Sequence, residues 1–185
     1  FREILPSVSN DQETTFVEVP LGTTEDRLLG SIDASRLLAD GEWSMQTGLI
    51  EQANNGVLYI DEVNLLPDHL VDSILDSAAS GQHRIERDGL SKNVSARYIL
   101  IGSMNPEEGD LRPQLTDRFM HGVSVKDDFS VEERREIVRL RMNFDDDPSS
   151  FMEEHQGKLE ELREQILQAR KHFKNVKITE ELRTE

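Results

Sequence analysis

The sequence predicts an α/β protein: a three-layer domain on a partial parallel sheet, followed by a long C-terminal helix. Three observations predict it. Val57-Leu58-Tyr59-Ile60 and Tyr98-Ile99-Leu100-Ile101 are continuous apolar runs of β-favouring residues, the mark of strands buried on both faces rather than on one. Each run stops abruptly in polar residues, Asp61-Glu62 after the first and Gly102-Ser103-Met104-Asn105-Pro106 after the second. Between them lies a stripe at helical spacing. Alternating strands and helices define a layered α/β domain.

The elements follow in order. Phe16-Val17-Glu18-Val19 alternates as a short strand and is stopped by Pro20, which has no N–H for a ladder. Residues 21–48 are rich in Gly, Asp and Ser and suit a small hairpin or a short helix within a long excursion. Gly48 to Ala53 reads as a helix, ended by Asn54-Asn55-Gly56, residues that tolerate a left-handed backbone. After the first buried strand, Asp68 is placed to cap a helix with Leu70, Val71, Ile74, Leu75, Ala78 and Ala79 on one stripe, closed by Gly81. Asp88-Gly89 sits between short β-compatible stretches, a hairpin signal. Leu111 to Phe119 suits a short helix with Pro113 in its first turn, and Val123-Ser124-Val125 a third strand of the series. Ser130 and Glu133 have capping-box spacing for a helix through about Met142. Asp145-Asp146-Asp147-Pro148 breaks that helix. Ser150 and Glu153 start a longer one, with Leu159, Leu162, Ile166, Leu167 and Phe173 on one stripe. The expected division is a core over 1–144 and a linker with the start of a helical region over 145–185.

Composition excludes several functions. The chain has 185 residues, no cysteine and a formal charge of −16. Disulfides, cysteine zinc sites and thiol catalysis are therefore absent. The acidic excess speaks against nonspecific duplex binding, which needs clustered Lys and Arg to neutralise phosphates, so no nucleic-acid partner is expected. No apolar run approaches the roughly 18–20 residues that span a bilayer. The five histidines form no metal-binding cluster at helical spacing. A cytoplasmic location is expected, or the plastid stroma in a plant or alga.

In open parallel sheets, ligands bind at the carboxyl ends of the strands. Two strands here end in the groups ATP hydrolysis needs: a carboxylate for the magnesium shell, and groups that orient and activate a water. Strand alternation would send Asp61 and Glu62 to opposite sides, Asp61 to the magnesium ion and Glu62 to the attacking water. Asn105 is placed to hold that water or the terminal phosphate. Two acids solvating a strand end, and an asparagine turn before Pro106, are the plainer readings of the same residues.

Four runs resemble the ATPase subunits of magnesium chelatase, and in the family's order. They are Pro20 to Gly30 (PLGTTEDRLLG), Gly56 to Leu66 (GVLYIDEVNLL), Gly102 to Gly109 (GSMNPEEG) and Leu111 to Phe119 (LRPQLTDRF). The resemblance extends over roughly residues 20–148. The resemblance implies an AAA+ fold with Asp61-Glu62 as the Walker B pair and Asn105 as the first sensor. It implies that Arg118 is an arginine finger inserted into a neighbour's nucleotide in an oligomeric ring, usually a hexamer. Arg112 is a second candidate for that contact. The bare residues also admit a surface ion pair between Arg118 and Asp117 or another nearby acid. The excursion carrying Trp43 and the Asp88-Gly89 hairpin resemble family insertions that engage partner subunits; Trp43 also suits a plug for a local mini-core.

The implied activity is that of an ATP-hydrolysing motor, with ATP and Mg2+ as cofactors. Hydrolysis would drive Mg2+ insertion into protoporphyrin IX by a separate porphyrin-binding subunit, alongside an AAA+-like partner subunit. One departure from the pattern is that no stretch fits the phosphate-binding loop Gly-x-x-x-x-Gly-Lys-Ser/Thr. The expectation is therefore an excised piece, inactive alone. Two other readings stay open: an AAA+ chaperone of the MoxR type that remodels or metal-loads a partner, and a non-hydrolysing AAA+-like scaffold.

Overall fold

A computed structural model describes residues 5, 14–33, 38–39, 41, 43–87, 90–109, 113–119, 121–125, 128–173 and 175–176. Leaving the first six residues aside, the chain divides into two compact units, Ser7–Met120 and His121–Glu185. The division falls at residue 120, whereas residue 144 of the sequence expectation lies inside a helix.

The first unit is organised by three short parallel strands. They are β1 (Phe16–Val19), β4 (Val57–Ile60) and β7 (Ile99–Gly102), in the order β1-β4-β7. Strand β4 is central, with Val19 opposite Ile60 on one side and Ile60 opposite Gly102 on the other. Its position accounts for its composition: Val57, Leu58 and Ile60 are all but completely buried. Helix α3 (Asp68–Ser80) packs Leu70, Val71, Ile74 and Leu75 into the same core, with Leu28, Ile50 and Leu115. Gly81 closes α3 in the left-handed conformation, φ 68°, where glycine carries no Cβ penalty. Asp68 is the first helical residue rather than the cap, because Pro67 occupies the cap position.

The excursion contains helix α1 (Glu25–Leu29), capped by Thr24, and an antiparallel hairpin of β2 (Gly30–Ile32) with β3 (Met45–Thr47). Gly30 has φ 103°, and a Cβ there would lie 2.7 Å from the Gln46 carbonyl oxygen; only glycine fits this crossing. Helix α2 (Leu49–Gln52) follows. A second hairpin pairs β5 (Gln82–Arg87) with β6 (Leu90–Ser95); its Asp88-Gly89 turn lies outside the described residues. Trp43 is 55% exposed, so it is no plug of a mini-core.

Two strand expectations are corrected. The β7 run is a strand, but not a buried one: Ile99 is 46% exposed, because among the described residues β7 pairs with β4 alone. Val123-Ser124-Val125 forms no strand, and its two valines are 90% and 83% exposed. A segment this short, with two β-favouring valines, holds a strand only when a ladder partner supplies hydrogen bonds, and no described strand pairs with it.

Tyr98 stands just before β7 and ties it to α3. Its hydroxyl donates to the Ile74 carbonyl oxygen (2.8 Å) and lies 2.6 Å from Ser77 Oγ. Burial pushes the phenol from 10 up to about 12, opposed in part by the Ser77 bond. The unfolded chain releases this proton near pH 10, the folded one near 12. The contribution to stability is therefore complete below pH 10 and lost as pH rises from 10 to 12, by at most about 1.4 kcal/mol per pH unit. In urea titrations, Tyr98→Phe is expected to be less stable than the parent by about 1 kcal/mol at pH 8. That gap should close above pH 11. A gap independent of pH would mean that the hydroxyl is not held as described.

In the second unit, α5 (Val131–Asp146) begins with the expected capping box: Ser130 Oγ accepts from the Glu133 N–H, and Glu133 reaches back to the Ser130 N–H. These bonds hold the Glu133 carboxyl below its usual range. The helix runs one turn past Met142. Helix α6 (Pro148–Phe173) starts at Pro148 and is capped by Asp147, whose Oδ1 accepts from the N–H groups of Ser149 and Ser150 at 3.1 Å each. Asp147, and not Ser150, is the cap, because proline favours the first helical position. Phe151 meets Phe144 edge-on at 5.7 Å across the bend and stacks on His155 at 4.2 Å.

Candidate active site at the strand ends

Strands β4 and β7 are parallel neighbours, so the residues that follow them leave the sheet at the same edge. Asp61 and Glu62 come directly after Ile60, and Asn105 comes three residues after Gly102, which is the register partner of Ile60. Ser103 fastens this corner. Its backbone N–H donates to the Ile60 carbonyl oxygen (2.9 Å), and its own carbonyl oxygen accepts from the Val63 N–H (2.9 Å). Its hydroxyl donates to Asp61 Oδ1 and accepts from the Glu62 N–H at 3.2 Å. Asp61 Oδ1 also accepts from the Tyr59 hydroxyl at 3.1 Å. Sequence reasoning missed both hydroxyls. The signal for Ser103 was its place: one residue past Gly102, hence opposite Asp61.

The alternation that was to separate the two acids does not apply. The strand ends at Ile60, and Glu62 sits in the left-handed region at φ 53°, ψ 55°. A residue with a side chain is uncommon there, and such strain clusters at functional sites. Asp61 is exposed and Glu62 half-buried. Among the described residues, the Glu62 carboxylate and Asp61 Oδ2 have no partner. The next turn (Val63–Leu65) carries Asn64, whose side-chain Oδ1 and Nδ2 are buried without partners.

Asn105 caps a short turn (Pro106–Glu108), its Oδ1 accepting from the Glu107 N–H at 3.1 Å. Arg118 is not brought to the corner. It lies two residues past helix α4 (Pro113–Thr116), and its guanidinium pairs with Asp76 of α3 at 3.0 Å, both side chains well exposed. The ion pair the bare sequence allowed is thus real, with Asp76 rather than Asp117. The next residue, Phe119, packs against the end of β7: a Cβ on Gly102 would lie 3.1 Å from its Cζ. Arg112 lies outside the described residues. No group of three or more His, Cys, Asp or Glu among the described residues forms a metal cage. Any divalent ion here would be held by Asp61 together with a ligand's own oxygens.

The sequence and fold have known relatives. Residues 29–119 match the family model described as magnesium chelatase, subunit ChlI. A magnesium-chelatase 38 kDa subunit of Rhodobacter capsulatus is 50% identical over 88% of this chain and 47% of its own length. An uncharacterized protein of Mycobacterium tuberculosis is 48% identical over 90% of this chain and 27% of its own. Among solved structures, a cryo-EM-based model of the complex between subunits BchI and BchD of magnesium chelatase aligns over 92% of this chain and 55% of the other. Its TM-score is 0.57, with 47% sequence identity. The chain is similar to the magnesium-chelatase ChlI family over residues 29–119, and the α/β core expected from that resemblance is the one observed. It spans about half the length of the magnesium-chelatase relatives it matches. No helix among the described residues is long and apolar enough to cross a membrane.

Proposed function

We propose that this chain supplies the catalytic strand ends of an ATP-hydrolysing AAA+ motor subunit whose turnover drives Mg2+ insertion into protoporphyrin IX. The observation that supports it best is the shared edge of β4 and β7, where Asp61, Glu62 and Asn105 emerge together from a core similar to that family's. The residues fit a magnesium–nucleotide. Asp61 keeps one carboxylate oxygen without a partner while the other is pinned by two hydroxyls, as a cation shell requires. When bound, the ion neutralises charge on the terminal phosphates.

Each residue then has a role in this reading. Asp61 faces the ion, directly or through a water. Glu62 takes the proton of the attacking water, its carboxylate committed to no other described group. The Asn105 side chain orients that water or the terminal phosphate. Arg118 exchanges Asp76 for the phosphates of a neighbouring subunit in a homo-oligomeric ring, as a hexamer would allow; there a guanidinium stabilises charge that builds up in the transition state. The core of this reading lies within the first unit, Ser7–Met120. An AAA+-like partner subunit and a porphyrin-binding catalytic subunit complete the complex, in the cytoplasm or the plastid stroma. No run in this sequence forms a phosphate-binding loop, so the 185-residue chain alone is expected to show no turnover.

In an assay of the full-length protein with such partners, magnesium-porphyrin fluorescence is expected to appear only when ATP and Mg2+ are both present. A motor that hydrolyses ATP yet never metallates the porphyrin, with turnover stimulated instead by a folded client protein, would replace this reading with that of an AAA+ chaperone. The similarity to the mycobacterial protein, whose name carries no chelatase activity, is what keeps that second reading in view.

A further inference from the structure

We propose that Ser103 is a positioning residue that sets the geometry of both acids at once; the proposal rests on the ATPase reading above. Four consecutive residues of the corner are bonded to this one serine: the Ile60 carbonyl oxygen, the Asp61 carboxylate, the Glu62 N–H and the Val63 N–H. Backbone ladder bonds alone would give the first and last of these. The middle two depend on the hydroxyl, which donates its single proton to Asp61 and accepts the amide proton of Glu62.

Each of those two bonds fixes something the backbone does not. Asp61 Oδ1 receives Ser103 and Tyr59 together. A carboxylate with two donors on one oxygen cannot turn about its Cβ–Cγ bond, so Oδ2 is presented in one direction. Glu62 stands at φ 53°, a conformation that costs a side-chain-bearing residue free energy and persists only where surroundings enforce it. The N–H on either side of its Cα is held by Ser103: its own by the hydroxyl, that of Val63 by the carbonyl. The hydroxyl thus helps to keep Glu62 in the left-handed turn.

The test uses the full-length protein in its ring. Partners that orient metal-binding and catalytic carboxylates are worth about 10–100-fold when removed. Ser103→Ala is expected to lower kcat by about tenfold or more and to raise the Mg2+ concentration for half-maximal turnover severalfold. Ser103→Thr, which keeps the hydroxyl, restores both. A merely structural role would lower the folded fraction, read by thermal unfolding, without moving the Mg2+ requirement. Should the alanine variant fail to assemble, Ser103→Cys carries the same test, since a thiol fills the site but bonds weakly. Kinetics of the alanine or cysteine variant within twofold of the parent at every Mg2+ concentration overturn the proposal. Glu62→Gln, run in parallel, separates the two layers. Loss of turnover in Glu62→Gln with a normal Ser103→Ala rejects the role of Ser103 alone. Undiminished turnover in Glu62→Gln rejects the catalytic role of Glu62 in the reading beneath it.

Discussion

Glu62→Gln in the full-length protein is expected to lower ATP turnover by roughly a hundred- to ten-thousand-fold, the range spanned by loss of a positioned general base. Nucleotide should still bind, since the amide keeps the size and hydrogen-bonding reach of the acid. The fold should not notice. Glu62 makes no side-chain bond to any described residue, and its left-handed turn is held through backbone groups. A substitution of that kind shifts stability by no more than about 0.5 kcal/mol. Steady-state turnover, nucleotide affinity and thermal unfolding measured side by side check all three statements. A variant that hydrolyses ATP at the parental rate would mean that Glu62 is not the base.

The second large effect belongs to Arg118. In the single chain its guanidinium rests on Asp76, and both side chains are exposed, so the pair contributes at most about 1 kcal/mol. Arg118→Ala should therefore leave thermal stability almost unchanged. In a ring it should cost turnover about 10³–10⁵-fold, as loss of an arginine finger does. The disproportion between the two effects is the diagnostic feature. Mixing makes the test sharper: rings assembled from Arg118→Ala and Glu62→Gln subunits contain interfaces at which an intact Glu62 meets an intact Arg118 of the neighbour. Activity recovered in mixed rings, beyond either parent, marks action between subunits. No recovery would mean that Arg118 serves its own chain, or only its bond to Asp76.

Much of the fold was legible because burial writes itself into composition. The Val57–Ile60 run is apolar at every position because β4 is the middle strand, and its abrupt end in two acids is the edge of the sheet. The Ser130–Glu133 spacing encodes a cap with a local mechanism, and the structure has both of its bonds. What was illegible depends on partners distant in sequence. Val123–Val125 has the composition of a strand, and composition does not reveal whether a ladder is available. Ile99 to Ile101 is as apolar as β4, yet it lies at an edge of the described sheet. Ser103 and Tyr98 acquire meaning only when β7 is laid beside β4 and α3. Asp147 was legible in principle, since an acid before a proline at a helix start is a cap signal, but the acidic run masked which of its members did the capping.

Asp61, Glu62 and Asn105 stand at strand ends, and the register puts β4 and β7 side by side. The structure of the full-length Glu62→Gln ring, determined with Mg2+ and ATP, tests most directly whether a nucleotide binds between them. The account predicts the triphosphate at the β4–β7 edge, with Asp61 on the ion's shell, Asn105 in hydrogen-bond reach of the terminal phosphate and a neighbour's Arg118 released from Asp76 to meet it. A nucleotide bound elsewhere, with Asp61 and Asn105 left facing solvent, would contradict it.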